Sequence, residues 1–137
     1  MKLRLSRKIE IGSERGQSIT EFALALPILA LLLFAVIQFG IVFNNYVTLT
    51  DATRAGARKG AVARRLPNPA GSCVKAVQDS AGALSQKTGF NASCTPTNAW
   101  QPGSDVKVTA TYPYQISLLG MVVKSGTLSS TTTERVE

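Results

Sequence analysis

The sequence predicts an α+β fold in which a long hydrophobic N-terminal helix is followed by a small domain with a short helix and an antiparallel β-sheet. Three observations support this fold class. The apolar residues are concentrated near the N-terminus, a middle segment has helical periodicity, and the C-terminal third contains the alternating pattern of β-strands. Because the chain has only 137 residues, it can form one modest soluble core beside the apolar helix.

Residues 22–43 contain no charged side chain and form the apolar run on which the first element depends. As an α-helix this run would be roughly 33 Å long, enough to cross a hydrocarbon core of about 30 Å. Its apolar residues surround the helix without a polar face. A secretory signal peptide would have a shorter apolar region and a cleavage site of small residues after it. The run therefore predicts a single helix that spans a lipid bilayer.

The helix is expected to continue beyond the span, because residues 51–65 are rich in alanine and arginine. Arg54, Arg58 and Arg65 lie near one side, as in a solvated face or a face directed toward lipid headgroups. Pro67 and Pro69 should end the helix. The predicted organisation is a leader at 1–16, a long helix at 17–66, and a small domain at 67–137 that begins with a linker at 67–72.

Within the small domain, apolar residues recur at helical spacing from Val74 to Leu84, which predicts a short helix at 72–86. Residues 87–105 are rich in turn-forming types and are interpreted as a loop. Residues 106–112 alternate between apolar and polar types, which is the clearest strand pattern in the chain. The next run, 115–123, is apolar and ambiguous, and the threonine-rich segment 127–136 predicts a final strand, paired with the first.

The chain has no histidine and only two cysteines, Cys73 and Cys94. Serine–histidine catalysis and imidazole metal sites are therefore excluded, and two thiols are too few for a zinc site. A Cys73–Cys94 disulfide is predicted if the domain lies outside the cytoplasm, and two buried free thiols are the alternative. No metal or other cofactor is expected.

Five basic residues precede the apolar run, Gly16 directly follows the last of them, and a single carboxylate, Glu21, lies at the beginning of the run. The basic residues fit either a solvated tail or a targeting leader. A carboxylate at membrane depth is costly, so Glu21 is a functional candidate. It could pair with a free α-amino group and set the register between packed helices. Alternatively it marks the start of the helix, with Ser18 or Thr20 as a cap.

The segment RGQSITEFALALP resembles the N-terminal signature of TadE-like proteins, which are pseudopilins or minor pilins of tight-adherence (Flp-type) pilus systems in bacteria. The similarity covers the basic leader, Gly16, the pair Glu21 and Phe22, and Pro27. It extends more loosely to residues 52–61 and to the closing strand. The resemblance implies a pilin-type helix that a prepilin peptidase processes, with Gly16 before the cut, Gln17 as the mature N-terminus and Glu21 as the assembly carboxylate.

The implied partners are the prepilin peptidase, other pilins or pseudopilins of the same system, the inner-membrane assembly platform and the lipid bilayer. The implied location is the bacterial inner membrane, with a single span, the C-terminal domain in the periplasm or outside, and a place in the pilus or on the cell surface. Five basic residues precede the span and five follow it within about 22 residues, so the positive-inside count does not choose an orientation. The cysteines and the resemblance favour a cytoplasmic N-terminus.

Other interpretations follow from the same residues. The chain could be a membrane-anchored binding module that never enters a filament, and an uncut N-terminus together with a tolerated Glu21→Gln change would favour that function. An enzyme would need Asp79 and Asp105 as a carboxylate pair, which their spacing does not support. Nucleic-acid binding is not supported, because the basic residues are not interleaved with aromatic residues and the sequence contains no nucleic-acid-binding fold motif.

Pro27 removes one helical hydrogen bond and predicts either a simple kink or a segment that melts during filament insertion.

Overall fold

The structure, a computed structural model, describes residues 13–118 and 120–137, with side chains described from residue 16 onward. Its elements are α1 (Ser13–Val62), α2 (Pro69–Ala81), β1 (Asn91–Pro96), β2 (Asp105–Leu118) and β3 (Met121–Arg135). One 3₁₀ turn follows each helix, at Ala63–Arg65 and Gly82–Leu84. The α+β prediction is confirmed. The chain divides within α1 into an N-terminal unit, Met1–Val36, and a C-terminal unit, Ile37–Glu137.

In the described part of the N-terminal unit, α1 is a regular helix whose apolar side chains are exposed. Leu24, for example, is 72% exposed and Val36 is 69% exposed. The helix continues through Pro27 without a break in its assignment. By length and composition α1 is able to cross a bilayer, as the sequence predicts.

In the C-terminal unit, α1 presents a stripe of small residues to the core. The buried members of this stripe are Ala52, Thr53, Gly56, Ala57, Gly60 and Ala61. Small side chains allow other elements to approach the helix axis closely. A Cβ atom at Gly56 would overlap Val77 of α2 and lie 3.2 Å from Val108 of β2. At Gly60, a Cβ atom would lie 3.2 Å from Val106 and 3.4 Å from the Cys73 sulfur. Both glycines therefore serve packing, although they reduce helix propensity.

We expect Gly56→Ala to destabilise the C-terminal unit by about 1–3 kcal/mol, because overpacking forces Val77 or the backbone to move. Gly40→Ala on the same helix is the control, since a Cβ atom there meets no described atom within 4 Å. Urea unfolding of the full chain in detergent, followed by the emission of Trp100, the single tryptophan, measures both variants. Equal stability of the two variants would contradict the close packing at Gly56.

Helix α2 begins three residues before the predicted position, so residues 69–71 are helical and the prediction of a linker across 67–72 is wrong there. The reason is the start signal: the Asn68 side chain accepts a hydrogen bond of 2.8 Å from the Gly71 amide, and Pro69 occupies the first turn. The helix ends at Ala81, and the 3₁₀ turn continues to Leu84. Val77, Ala81 and Leu84 from the predicted apolar face are buried.

The sheet is antiparallel in the order β1–β2–β3, and the prediction of a loop across 87–105 is wrong at Asn91–Pro96, which form β1. This strand pairs with β2 from Asn91 opposite Thr111 to Pro96 opposite Val106. Pro96 is tolerated because it lies at the end of an edge strand. The pairing with β2, and not the local sequence, makes this segment extended.

Strands β2 and β3 form a long hairpin, which contains both the predicted strand at 106–112 and most of the predicted final strand. The two strands are paired as predicted, and the ambiguous run 115–123 forms the far end of the hairpin, with Gly120 at φ +83° in the turn. The core-facing residues of β2 are Val106, Val108 and Ala110, all fully buried.

The hairpin is tied to α1 by buried hydroxyl groups. The Thr53 hydroxyl forms hydrogen bonds of 3.1 Å with both the Ser130 and the Thr132 hydroxyls of β3, and lies 2.8 Å from the Thr50 carbonyl oxygen, to which it is positioned to donate. At the end of the chain, the Glu137 amide donates to the Ala61 carbonyl, and Val136 is buried. The sheet is therefore held along the C-terminal part of α1.

Candidate functional site at the N-terminus of the apolar helix

Gly16 and Gln17 lie in the first turns of α1 and are exposed. The Gly16 carbonyl accepts a hydrogen bond of 2.9 Å from the Thr20 hydroxyl, one helical turn later. A Cβ atom at Gly16 would meet no described atom within 4 Å, so the helix itself does not require glycine at this position. The bond between Gly16 and Gln17 is thus accessible, and its backbone is helical in the uncut chain.

Glu21 is exposed on the same face of the helix as Gln17, one turn later. The Gln17 side-chain amide donates a hydrogen bond of 3.1 Å to the Glu21 carboxylate. This places Glu21 close to the backbone that would become the amino terminus if the chain were cut after Gly16. The adjacent Phe22 is 60% exposed and begins the uncharged run. The arrangement puts one negative charge at the boundary between a polar end and an apolar helix.

Pro27 lies inside α1, six residues after Glu21. The helix assignment includes the residues on both sides of it, so this structure contains no melted segment at 23–27 among the described residues. The hypothesis of local melting during filament insertion concerns another state and stays a prediction. Of the basic leader, residues 1–12 lie outside the described residues, and α1 begins at Ser13.

Cys73 and Cys94 form a disulfide, as the sequence predicts for a domain outside the cytoplasm. The bond joins Cys73, the fifth residue of α2, to Cys94 in the edge strand β1, with a Cα–Cα distance of 6.3 Å. Cys73 is fully buried, and its sulfur lies 3.3 Å from the Gly56 carbonyl oxygen. The disulfide therefore lies against the small-residue stripe of α1.

The two aspartates considered as a catalytic pair, and the arginines of α1, do not form a common site. Asp79 is 64% exposed and pairs with Lys75 at 2.9 Å, while Asp105 is exposed at the start of β2. The described residues contain no group of three or more cysteine and carboxylate side chains that could hold a metal. Arg54 and Arg58 lie on the exposed side of α1, and Arg54 forms a solvent-exposed ion pair of 3.5 Å with Asp51.

The packing role of Gly56 and Gly60 is not part of the sequence-based prediction, in which residues 51–65 simply continue the helix. A signal for it is present, because these glycines are four residues apart with Ala52, Ala57 and Ala61 on the same face. Such a stripe predicts close approach of a neighbouring element. The sequence does not reveal which element approaches, since α2 and the sheet both do.

Residues 16–58 match the model of a family described as TadE-like protein. The matched segment begins at Gly16, includes Glu21 and the whole apolar run, and ends within α1 at Arg58. The resemblance based on RGQSITEFALALP is confirmed over these residues. Comparisons with curated proteins and with solved structures gave no significant match.

Proposed function

We propose, from the match of residues 16–58 to the TadE-like family, that this chain is a pseudopilin or minor pilin of a tight-adherence, type IV-like pilus system. The family suggests association with such a pilus. The finer role is structural: the chain acts in pilus assembly and surface adhesion and has no catalytic activity of its own. The observation that carries the proposal is that the matched segment begins at Gly16 and contains both Glu21 and the membrane-length helix.

Processing is the first step of the proposed function. A prepilin peptidase at the membrane cuts between Gly16 and Gln17, which removes the basic leader and leaves an apolar helix with a free α-amino group. Exposure of this bond supports the proposal, since both residues are accessible at the start of α1. The Thr20–Gly16 hydrogen bond must open for the backbone to become extended in the peptidase.

Assembly is the second step. The Glu21 carboxylate neutralises the α-amino group of Gln17, either its own or that of a neighbouring subunit, while the apolar helices pack side by side. The charge is effective because residues 22–43 around it are uncharged and exclude water once packed. It also interacts favourably with the positive end of the helix dipole after the cut. Partners at this step are other pilins of the system and the inner-membrane assembly platform.

The proposed location is the bacterial inner membrane, with the N-terminus in the cytoplasm and the C-terminal unit in the periplasm or outside. The Cys73–Cys94 disulfide supports this orientation, because such bonds persist in oxidising compartments. From this position the chain can be extracted into a fibre and reach the cell surface.

We expect the protein recovered from membranes and from sheared pili to begin at Gln17 in cells that contain the prepilin peptidase, and at Met1 in cells that lack it. The peptidase removes residues 1–16, so intact mass and N-terminal sequencing distinguish the two forms. A Gly16→Phe variant should remain uncut, because a large side chain then precedes the scissile bond. Ile19→Phe, which adds a similar ring in the exposed first turns, is the control that should still be cut.

A chain that begins at Met1 in both kinds of cell would contradict the pilin function. In that case an anchored binding module that never enters a filament would be the better explanation.

A further inference from the structure

At the far end of the β2–β3 hairpin, β3 is apolar on both faces, while Ser117 of β2 pairs with Val122. Met121, Val122 and Val123 are consecutive in β3 and are 69%, 58% and 62% exposed. Because successive residues of a strand point to opposite faces, three in a row leave no polar face. Leu118, which pairs with Met121, is half-buried. We call Leu118 and residues 121–123 the hairpin end.

The other half of the same strand follows the ordinary rule for a sheet with one face in water. From Thr127 to Thr133, buried or half-buried residues alternate with exposed polar residues. Threonine and serine occupy most of the exposed positions there. From Met121 to Ser125 every residue is exposed and the alternation is lost, so the surroundings of the hairpin end differ from those of the middle of the strand.

The direction of β2 along α1 shows which part of α1 lies nearest to the hairpin end. Val106 approaches Gly60, and Val108 approaches Gly56. Further along β2, residues 112–115 line an open cleft together with Gln38, Ile41, Val42 and Asn45 of α1. Strand β2 therefore runs antiparallel to α1 within the C-terminal unit. Each residue of β2 moves about 3.3 Å toward the apolar end of the helix.

At the level of Gln115, α1 is already in its uncharged run. Ile37, Phe39, Ile41 and Phe43 of the C-terminal unit are each about half or more exposed. Beyond Gln115, β2 continues for three residues to Leu118, which is roughly 10 Å at strand spacing. Within the C-terminal unit, the hairpin end thus extends past the cleft in the direction in which α1 passes from its charged part into its uncharged run.

We propose that the hairpin end enters the interfacial region of the lipid leaflet that α1 enters from the C-terminal unit, as a second membrane contact of the protein. Headgroups and water at this depth can pair with the backbone groups on the open edges of the two strands. The proposal rests on the bilayer placement of α1 in the proposed function. Lipid chains can contact both faces of the strand. A single protein partner, by contrast, would cover only one face.

The residues at the inner side of the hairpin end fit a headgroup region. Tyr112 and Tyr114 are half-buried beside the cleft, and tyrosine is enriched at membrane interfaces. Lys124 follows the apolar trio and is exposed, and Lys87 lines the cleft. Long basic side chains at this level can reach anionic headgroups while their stems lie along apolar surface.

The test uses the full chain in phosphatidylcholine–phosphatidylglycerol vesicles, with one added cysteine that carries an environment-sensitive fluorophore. Val122→Cys reports on the hairpin end, Ser129→Cys on an exposed position of the same strand, and Phe34→Cys on the span. The native cysteines are paired and do not take the label. Nitroxide groups on the lipid chains quench labels that lie in the bilayer.

We expect several-fold stronger quenching at Val122 than at Ser129, with strong quenching at Phe34. Quenching at Phe34 with none at Val122 would overturn the insertion of the hairpin end and leave the anchor in place. An unquenched label at Phe34 would overturn the anchor as well. A blue-shifted label at Val122 that lipid nitroxides do not quench would assign the hairpin end to a protein surface, such as a second copy, and would overturn the lipid contact.

Discussion

Replacing Glu21 by glutamine is expected to remove the protein from sheared pili while leaving its amount in the membrane and its N-terminal cleavage unchanged. Glutamine keeps the size and the acceptor oxygen that Gln17 contacts at 3.1 Å, so the helix should be unaffected. The substitution removes only the negative charge. Both side chains are exposed, so the fold does not depend on their hydrogen bond.

The size of the effect follows from the value of a charge at a helix N-terminus. A favourable, partly buried charge there contributes up to about 2 kcal/mol, which is roughly a 30-fold change in the association constant for each subunit. In the proposed assembly step this contact forms whenever a copy of the chain is added to the fibre, so the loss from pili should be close to complete. The measurement is the ratio of the protein in sheared pili to that in membranes, by immunoblot, together with N-terminal sequencing.

Asp51→Asn is the matched control, because it removes one carboxylate from the same helix outside the uncharged run. Asp51 is 63% exposed and takes part in a solvent-exposed ion pair with Arg54, which contributes little stability. This variant should enter pili normally. Normal incorporation of Glu21→Gln would contradict the assembly role of the carboxylate. If the Glu21→Gln chain is not cut, the carboxylate is needed for processing by the peptidase and not for assembly.

The elements that sequence predicts well are those whose pattern is local. The uncharged run at 22–43 is long enough that only a helix satisfies its backbone in an apolar medium, and α1 has this form. The alternation at 106–112 likewise predicts a strand without knowledge of its neighbours, and β2 contains it. In both cases the signal is carried by residues close together in the chain.

Strand β1 could not be predicted in this way. Its sequence, NASCTP, contains residues with weak strand preference and a proline, and it lies among turn-forming residues. Its extended form depends on pairing with β2 and on the disulfide from Cys94 to Cys73 of α2. Both interactions are with distant residues, and a pattern within the segment does not contain them.

The ambiguity of residues 115–123 has a different cause. A strand with one face in water alternates, but the hairpin end has apolar residues at consecutive positions, so its period does not distinguish a strand from a helix. The turn at Gly120 divides the run between β2 and β3. At the candidate site, the sequence placed Gln17 and Glu21 one turn apart, and the structure adds their hydrogen bond.

Reduction of the Cys73–Cys94 bond is expected to lower the stability of the C-terminal unit by about 3 kcal/mol, because the bond closes a loop with a sequence separation of 21 and so restricts the unfolded chain. For a domain of this size, the thermal midpoint should fall by roughly 10–20 °C. Strand β1 should be affected most, since it is a six-residue edge strand that the disulfide ties to α2.

Thermal unfolding of the full chain in detergent, with and without dithiothreitol, measures this effect without a sequence change, and Trp100 reports on the unit because it packs against the core. The Cys73→Ala/Cys94→Ala double variant is the control. It should have a lowered midpoint in both conditions and no response to dithiothreitol.

Cys73 is fully buried and Cys94 is half-buried, so reduction of the disulfide should be slow in the folded protein and fast in urea. If the reduced and oxidised chains unfold at the same temperature, pairing with β2 is sufficient to hold β1 in place, and the role of the disulfide in stability would be contradicted.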